Sequence, residues 1–250
     1  MSGFFVPSEN ILTDGIIITG SDVNHIKNVL RKKPGDVLSV FGFSGKTYTC
    51  EISEITDEEI RLSILETKES ESELKTRVCL YQGLPKADKF ELIIQKCVEL
   101  GVHEITPVIN ERSISRPDGK KLREKVIRWN RISESAAKQS GRGIIPEVKD
   151  ARDFREALSE AGRSCDIVLM PYENAAGMKF AAECIKNACG KKVAVFIGPE
   201  GGFSEKEAEL AEKAGAKIIS LGHRILRTET AGLAVMSVLM FNEECNTPEG

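Results

Sequence analysis

Val193-Ala194-Val195-Phe196-Ile197-Gly198-Pro199-Glu200-Gly201-Gly202-Phe203-Ser204 sets the architecture of this chain. Its first five residues are apolar and mostly β-branched, too few for a helix and apolar on both faces, which is the pattern of a strand covered from two sides. Ser204 followed by Glu207 forms a capping box that opens a helix to Lys213, closed by Gly215. Strand, tight turn and helix in that order belong to an α/β domain with a mainly parallel sheet. Between them, three glycines surround one carboxylate at a strand's carboxyl end, where open α/β sheets bind ligands. The plainer alternative is a turn rich in glycine for steric reasons alone.

The same rhythm extends outward. Val78 to Tyr81, Ile105 to Ile109, Ile167 to Met170 and Ile218 to Leu221 are further apolar runs. Phe90, Ile93, Ile94, Cys97 and Val98 mark a helix stopped by Gly101, and Leu122, Val126, Trp129, Ile132 and Ala136 mark another. A last apolar helix runs from about Thr230 to Phe241. Two more ligand-type loops follow strands, Leu169 to Asn174 and Ser220 to Gly232, so three such loops are expected on one edge of the sheet. Residues before 70 read differently. Phe4 to Val6, Ile16 to Ile18, Val37 to Phe41, Lys46 to Ile52 and Ile60 to Leu65 are short strands, with one helix capped by Ser21 or Asp22, which suggests a small β-barrel. Glu66 to Lys75, polar with one apolar residue, reads as a linker; the expected domains are 1–70 and 71–250.

Composition narrows the function classes. The 250 residues are 41% hydrophobic and 29% charged, the balance of a globular domain rather than a disordered or disulfide-stapled one. No apolar run approaches the roughly 18 residues needed to span a bilayer. Met1 to Pro7 lacks a basic segment leading into an apolar one and does not read as a secretory signal, so a cytoplasmic location is expected. The seven cysteines are an odd set without a Cys-x-x-Cys pair, better read as small hydrophobes than as metal ligands, and no metal site is expected. Net charge is −3, yet Lys86 to Lys149 holds 14 Lys/Arg against 9 Asp/Glu, which permits a local phosphate-binding face. Gly45-Lys46-Thr47 is no P-loop, because the pattern needs glycine where Val40 stands and because it joins two strands. A dinucleotide-binding Gly-x-Gly-x-x-Gly is absent.

Gly198 to Ser204 together with Leu221 to Ala234, LGHRILRTETAGLA, strongly resembles the RsmE family, SPOUT-class methyltransferases that modify N3 of a uridine in 16S ribosomal RNA. Lys86 to Pro107, Glu111 to Ser113 and Trp129 to Pro146 also look like that family, and His25 to Asp36 resembles its PUA-like RNA-binding barrel. The resemblance implies a SPOUT-type trefoil-knotted sheet, a homodimer, and 16S rRNA or the small ribosomal subunit as partner, with no membrane involved. It also implies that S-adenosyl-L-methionine is held by three loops: Met170, Pro171, Tyr172 and Glu173; Ile197, Gly198, Pro199, Glu200, Gly201 and Gly202; and Leu221, Gly222, Ile225, Leu226, Arg227 and Thr228.

Uridine N3 must lose its proton before it can accept a methyl group. Arg227 is expected to stabilise the uracil anion or orient the base, while Glu200 or Glu229 handles the proton or fixes that arginine, with a carboxyl pKa raised by an apolar setting. For Glu229 the alternative is a helix-start residue that offsets the dipole. His223 reads as a loop residue. RNA contacts are expected from Lys27, Arg31, Lys32 and Lys33 on the barrel and from Arg112, Arg131, Gln139, Ser140 and Arg142, whereas Trp129 reads as core. Alternative readings are a SPOUT enzyme acting on a tRNA ribose hydroxyl, a non-catalytic RNA-binding protein, and a small-molecule α/β enzyme.

Overall fold

The computed structural model describes residues 3–42, 45–70, 72–114 and 119–246, side chains at 174 and 176 excepted. The chain divides into two compact units, Met1–Glu73 with Ala137–Ile145, and Leu74–Ala136 with Pro146–Gly250. The expected division at 70/71 put residues 137–145 in the second domain; they group with the first. The cause is Glu73, whose carboxylate accepts from Arg142 Nη2 at 2.5 Å and from the backbone N–H groups of Gly143 at 2.8 Å and Ile144 at 3.3 Å.

The first unit contains β1 (Gly3–Val6), β2 (Gly15–Thr19), α1 (Ser21–Asn24), a π-helical turn (His25–Val29), β3 (Val37–Gly42), β4 (Lys46–Ile55) and β5 (Glu59–Glu69). Its sheet runs β1-β3-β4-β5-β2, with β1 parallel to β3 and the other pairs antiparallel. Alternate residues point inward, so that Ile16, Ile18, Val40, Cys50, Ile52 and Ile60 are at most 2% exposed. Among the described residues no ladder joins β1 to β2, so the expected barrel is a curled, open half-barrel. Gly42 pairs with Lys46, which makes the P-loop look-alike a hairpin; Phe43 and Ser44 of that turn lie outside the described residues. The linker expected from Glu66 begins later, because β5 continues to Glu69 in register with Lys46 to Thr49 of β4. β2 covers β5 only at 59–63, and residues 65–69 of β5 are exposed, which is why the strand reads as charged chain.

The second unit contains β6 (Arg77–Gly83), α2 (Lys89–Glu99), β7 (Glu104–Ile109), α3 (Gly119–Ser140, its last turn in the first unit), β8 (Glu147–Val148) and β9 (Arg152–Asp153). It continues with α4 (Phe154–Ser164), β10 (Ile167–Ala176), α5 (Met178–Lys186), β11 (Lys192–Ile197), α6 (Glu205–Lys213), β12 (Lys217–Ile219) and α7 (Thr228–Asn246). The sheet order is β12-β10-β11-β6-β7-β8, with β9 also on β7, and every ladder is parallel. Tyr81 stacks on Phe196 with ring centroids 4.6 Å apart, and Phe154 meets Phe196 edge-on at 5.8 Å. Cys50, Cys79, Cys97 and Cys184 are buried as small hydrophobes, whereas Cys189 and Cys245 are exposed, contrary to that expectation.

Two features position the site. Parallel strands put the carboxyl ends of β6, β10, β11 and β12 on one edge. β12 lies at the sheet's margin, yet α7 packs against α2, α5, β6 and β11 near its middle, so residues 220–227 cross back over the ends of β10 and β11. The expected knot depends on this crossing. At its far end α7 is pinned by Glu243, whose carboxylate accepts from the backbone N–H of Lys75 and, at 2.8 Å, of Thr76. No helix among the described residues is long and apolar enough to cross a membrane.

Candidate active site

One buried hydroxyl ties the strand ends together. Thr228, 5% exposed, donates from Oγ1 to the Gly198 carbonyl at 2.6 Å and accepts from Gln82 Nε2 at 2.8 Å. Gln82 is fully buried at the end of β6 and donates also to the Gly83 carbonyl at 3.1 Å. Gly83 cannot be larger: a Cβ there would stand 2.6 Å from Pro199 N and Cδ and 2.7 Å from Asn110 Oδ1. Neither Gln82 nor Gly83 was singled out from the sequence. The available signal was a polar residue inside the apolar run Val78 to Leu84.

Around Glu200 the structure assembles a charged cluster. Glu200 accepts from the Lys86 backbone N–H at 3.0 Å, and Lys89 Nζ lies 3.3 Å from Glu200 and 3.5 Å from Glu229. Glu229 Oε2 is buried and has no hydrogen-bond partner among the described residues, so Lys89 is its electrostatic neighbour. Between the two lysines Ala87 holds φ +54°, a left-handed conformation that costs a non-glycine residue energy. The raised carboxyl pKa expected here is not found at Glu200. Partial burial pushes it up, but hydrogen bonds from its own and the Lys86 backbone N–H groups, together with Lys89, hold it below the ordinary glutamate value. Lys89 was missed because its role depends on which strand end lies beside α2.

A third tie joins the loop after β7. Arg112 Nη1 donates to the Gly201 carbonyl at 3.2 Å. Glu207, 7% exposed, accepts from Asn110 Nδ2 at 3.1 Å and the Glu111 N–H at 3.0 Å, while its other oxygen accepts from the Ser204 N–H at 2.9 Å. The capping box expected from Ser204 and Glu207 is present, and the same carboxylate anchors the neighbouring loop.

The structure brings the three expected loops to one edge but gives their residues different roles. Met170, Ile197 and Pro199 are buried, and the Thr228 hydroxyl is engaged as described, so their side chains are not presented at the crevice surface. The loop expected from Tyr172 is a bulge inside β10, whose register on β12 jumps from Pro171↔Ile219 to Ala176↔Ile219. It leaves Pro171 and Tyr172 half-buried and Glu173 exposed. Leu221, Gly222 (φ +102°) and Leu226 are half-buried, Gly201 and Arg227 are exposed, and Ile225 is 90% exposed. Gly198 and Gly202 are half-buried. This arrangement of backbone edges beside uncovered aliphatic side chains fits a flat heteroaromatic ring, with peptide groups reading its rim. Arg227 has no side-chain partner among the described residues, while its carbonyl accepts from the N–H groups of Thr230 and Ala231 and starts α7. His223 is exposed in the loop.

The expected RNA contacts divide. Arg131 and Gln139 are exposed and Ser140 half-buried. Arg142 is corrected: at 2% exposed, with its guanidinium on Glu73, it is a structural anchor and not a phosphate contact. On the half-barrel, Lys27 pairs with Asp57 at 2.5 Å, Arg31 holds φ +53°, Lys32 Nζ reaches the Val37 carbonyl at 3.4 Å and Lys33 is exposed. Trp129 is core, 3% exposed and 4.4 Å from Phe90 between ring centroids.

Comparison with known proteins agrees with this geometry. The family model of an RNA methyltransferase domain matches residues 72–240, and that of an RNA methyltransferase PUA domain matches residues 18–65. The ribosomal RNA small subunit methyltransferase E of Bacillus subtilis (strain 168) is 35% identical over 231 residues, covering 91% of this chain and 90% of that protein. Its namesake from Aquifex aeolicus (strain VF5) is 30% identical, covering 90% and 93%. The crystal structure of ribosomal RNA small subunit methyltransferase E from Neisseria gonorrhoeae bound to S-adenosyl methionine superposes with TM-score 0.79 at 31% identity, covering 96% of this chain and 97% of that one.

Proposed function

Since the chain belongs to the RNA methyltransferase family, with both the catalytic-domain and PUA-domain models matched, we propose that it transfers a methyl group from S-adenosyl-L-methionine to N3 of a uridine in 16S ribosomal RNA. It is an S-adenosylmethionine-dependent methyltransferase of small-subunit rRNA. The observation that carries the assignment is the Gln82–Thr228–Gly198 strut, which gathers the ends of β6 and β11 and the start of α7 into one crevice.

Backbone at Met170 and Pro171, at Gly198 to Gly202 and at Leu221 to Leu226 would hold the adenosyl donor, with Ile225 and Leu226 against its ring. When bound, the donor supplies an electrophilic methyl carbon on a sulfonium. The protein's own part is to make uridine N3 nucleophilic. Arg227, without a side-chain partner among the described residues and at the amino end of α7, faces developing negative charge on the uracil oxygens, and the positive end of the helix dipole adds to that field. Glu200, ionised and facing outward, receives the N3 proton, and Lys89, braced from behind by Glu229, holds that carboxylate in place. Excluding water from the crevice strengthens each of these interactions.

A homodimer completes this reading. Val238 (47% exposed) and Phe241 (67%) lie one turn apart on α7, and Met178 and Phe180 on the adjoining α5 are also uncovered; a second copy of the chain covers that face. Phe241→Glu then shifts the sedimentation of the protein from dimer to monomer. The reading also places the enzyme in the cytoplasm, with its substrate.

Calorimetry with S-adenosylmethionine, followed by labelled methyl transfer to 16S RNA or small-subunit particles and mapping of the product nucleoside, tests the assignment. Saturable donor binding and label in an N3-methyluridine are expected. A folded protein that binds no donor, or label on a ribose oxygen, overturns it. Arg227→Ala abolishes turnover while donor binding and melting temperature remain.

A further inference from the structure

The basic excess between Lys86 and Lys149 belongs to one helix. α3 carries seven lysines and arginines against two glutamates, and outside it the stretch is charge-balanced, with seven of each sign. Lys120, Arg123 and Arg131 are exposed and have no carboxylate partner among the described residues. At 100° per residue all three fall within an arc of about 80°, along about 16 Å of helix, enough to meet several successive phosphates. Ile127, 58% exposed, lies in the same arc and offers a dry contact to a sugar or base; Glu124 stands about 20° outside its edge, and Glu134, half-buried, follows one turn beyond Arg131.

The arc also adjoins the site. Arg128, on its flank, pairs with Glu91 at 2.8 Å, and Trp129 on the buried face packs on Phe90. Glu91 and Phe90 are in the first turn of α2, which begins at Lys89, the lysine between Glu200 and Glu229. We propose that the exposed face of α3 is a phosphate track that holds the RNA backbone beside the methyl-transfer crevice. The proposal rests on the RNA methyltransferase reading, and it assigns sequence-independent affinity to this helix.

The test is RNA binding against salt concentration, using the triple variant Lys120→Gln, Arg123→Gln, Arg131→Gln in the full chain. A control variant, Arg163→Gln, Lys186→Gln, Lys191→Gln, removes the same charge at the opposite edge of the sheet. For the track variant, calorimetric donor binding is expected to stay as in the parent while RNA affinity falls. The slope of log K against log salt should drop by about 2, roughly 0.7 per lost contact on a single strand. The control should keep the parent slope. An unchanged slope in the track variant, or an equal drop in both variants, overturns the proposal. So does loss of binding to phosphatidylserine vesicles with the RNA slope unmoved, which would make α3 a membrane-surface helix. A parent that binds RNA but transfers no methyl group fails the enzymatic reading instead, and the slope comparison still decides the role of α3.

Discussion

Thr228 holds three segments with one hydroxyl, and its loss is therefore specific. Thr228→Val keeps the shape but leaves Gln82 Nε2 and the Gly198 carbonyl buried without this partner, at a cost of about 1–3 kcal/mol. Thermal melting should show that loss, donor affinity should fall with it, and Thr228→Ser should retain both. Lys89 acts on protonation. Without its ammonium the Glu200 carboxyl rises toward or above its ordinary value, so proton uptake begins at higher pH. The acid limb of the kcat/KM profile of Lys89→Met should accordingly move up, with Lys89→Arg holding the parental limb; coincident profiles would remove Lys89 from the electrostatics of the site. Residues whose chemistry is local were legible in the sequence, as with Gly198 to Gly202 and the Ser204–Glu207 box. Gln82 and Lys89 were not, because their partners sit more than a hundred positions away and only the sheet order brings them near.

Among the elements, those with strong apolar periodicity were legible and the alanine-rich ones were not. α4 buries Phe154, Ala157, Leu158 and Ala161 at helical spacing under an Asp153 cap, yet two of those four are alanines and add little contrast. α5, which buries Ala181, Cys184 and Ile185, was missed for the same reason. β10 was cut short because its bulge carries Tyr172 and Glu173, residues that read as loop. Where elements meet, packing is tight enough to predict costs. Gly83→Ala forces a methyl group against Pro199 backbone and should destabilise by about 1–3 kcal/mol in denaturant unfolding, because the strand ends have no room to part. Glu207→Ala removes the reciprocal half of the α6 capping box together with the tie to residues 110–111, leaving the Ser204 N–H without its acceptor. A loss of at least about 2 kcal/mol is expected from the same measurement.

At the scale of the whole molecule, the chain enters and leaves its first unit more than once, which no composition shift announced. Residues 137–145 return to it, and Arg142, its side chain 3% exposed, finds its carboxylate at Glu73. A fragment beginning at Leu74 lacks both Glu73 and the strand ends on which Gly143 and Ile144 pack, so residues 137–145 lose their anchor. Limited proteolysis followed by mass spectrometry should find the 74–250 fragment cleaved between Gln139 and Ile144, where the full chain resists.

The return of residues 220–227 across the sheet also gives the site a history. α7 is synthesised after every strand it packs against, so a nascent chain halted before Thr228 holds its parallel sheet but no brace between Gln82 and Gly198. Methyl-transfer competence therefore arrives in one late event, when that helix docks and braces the loops after β6 and β11.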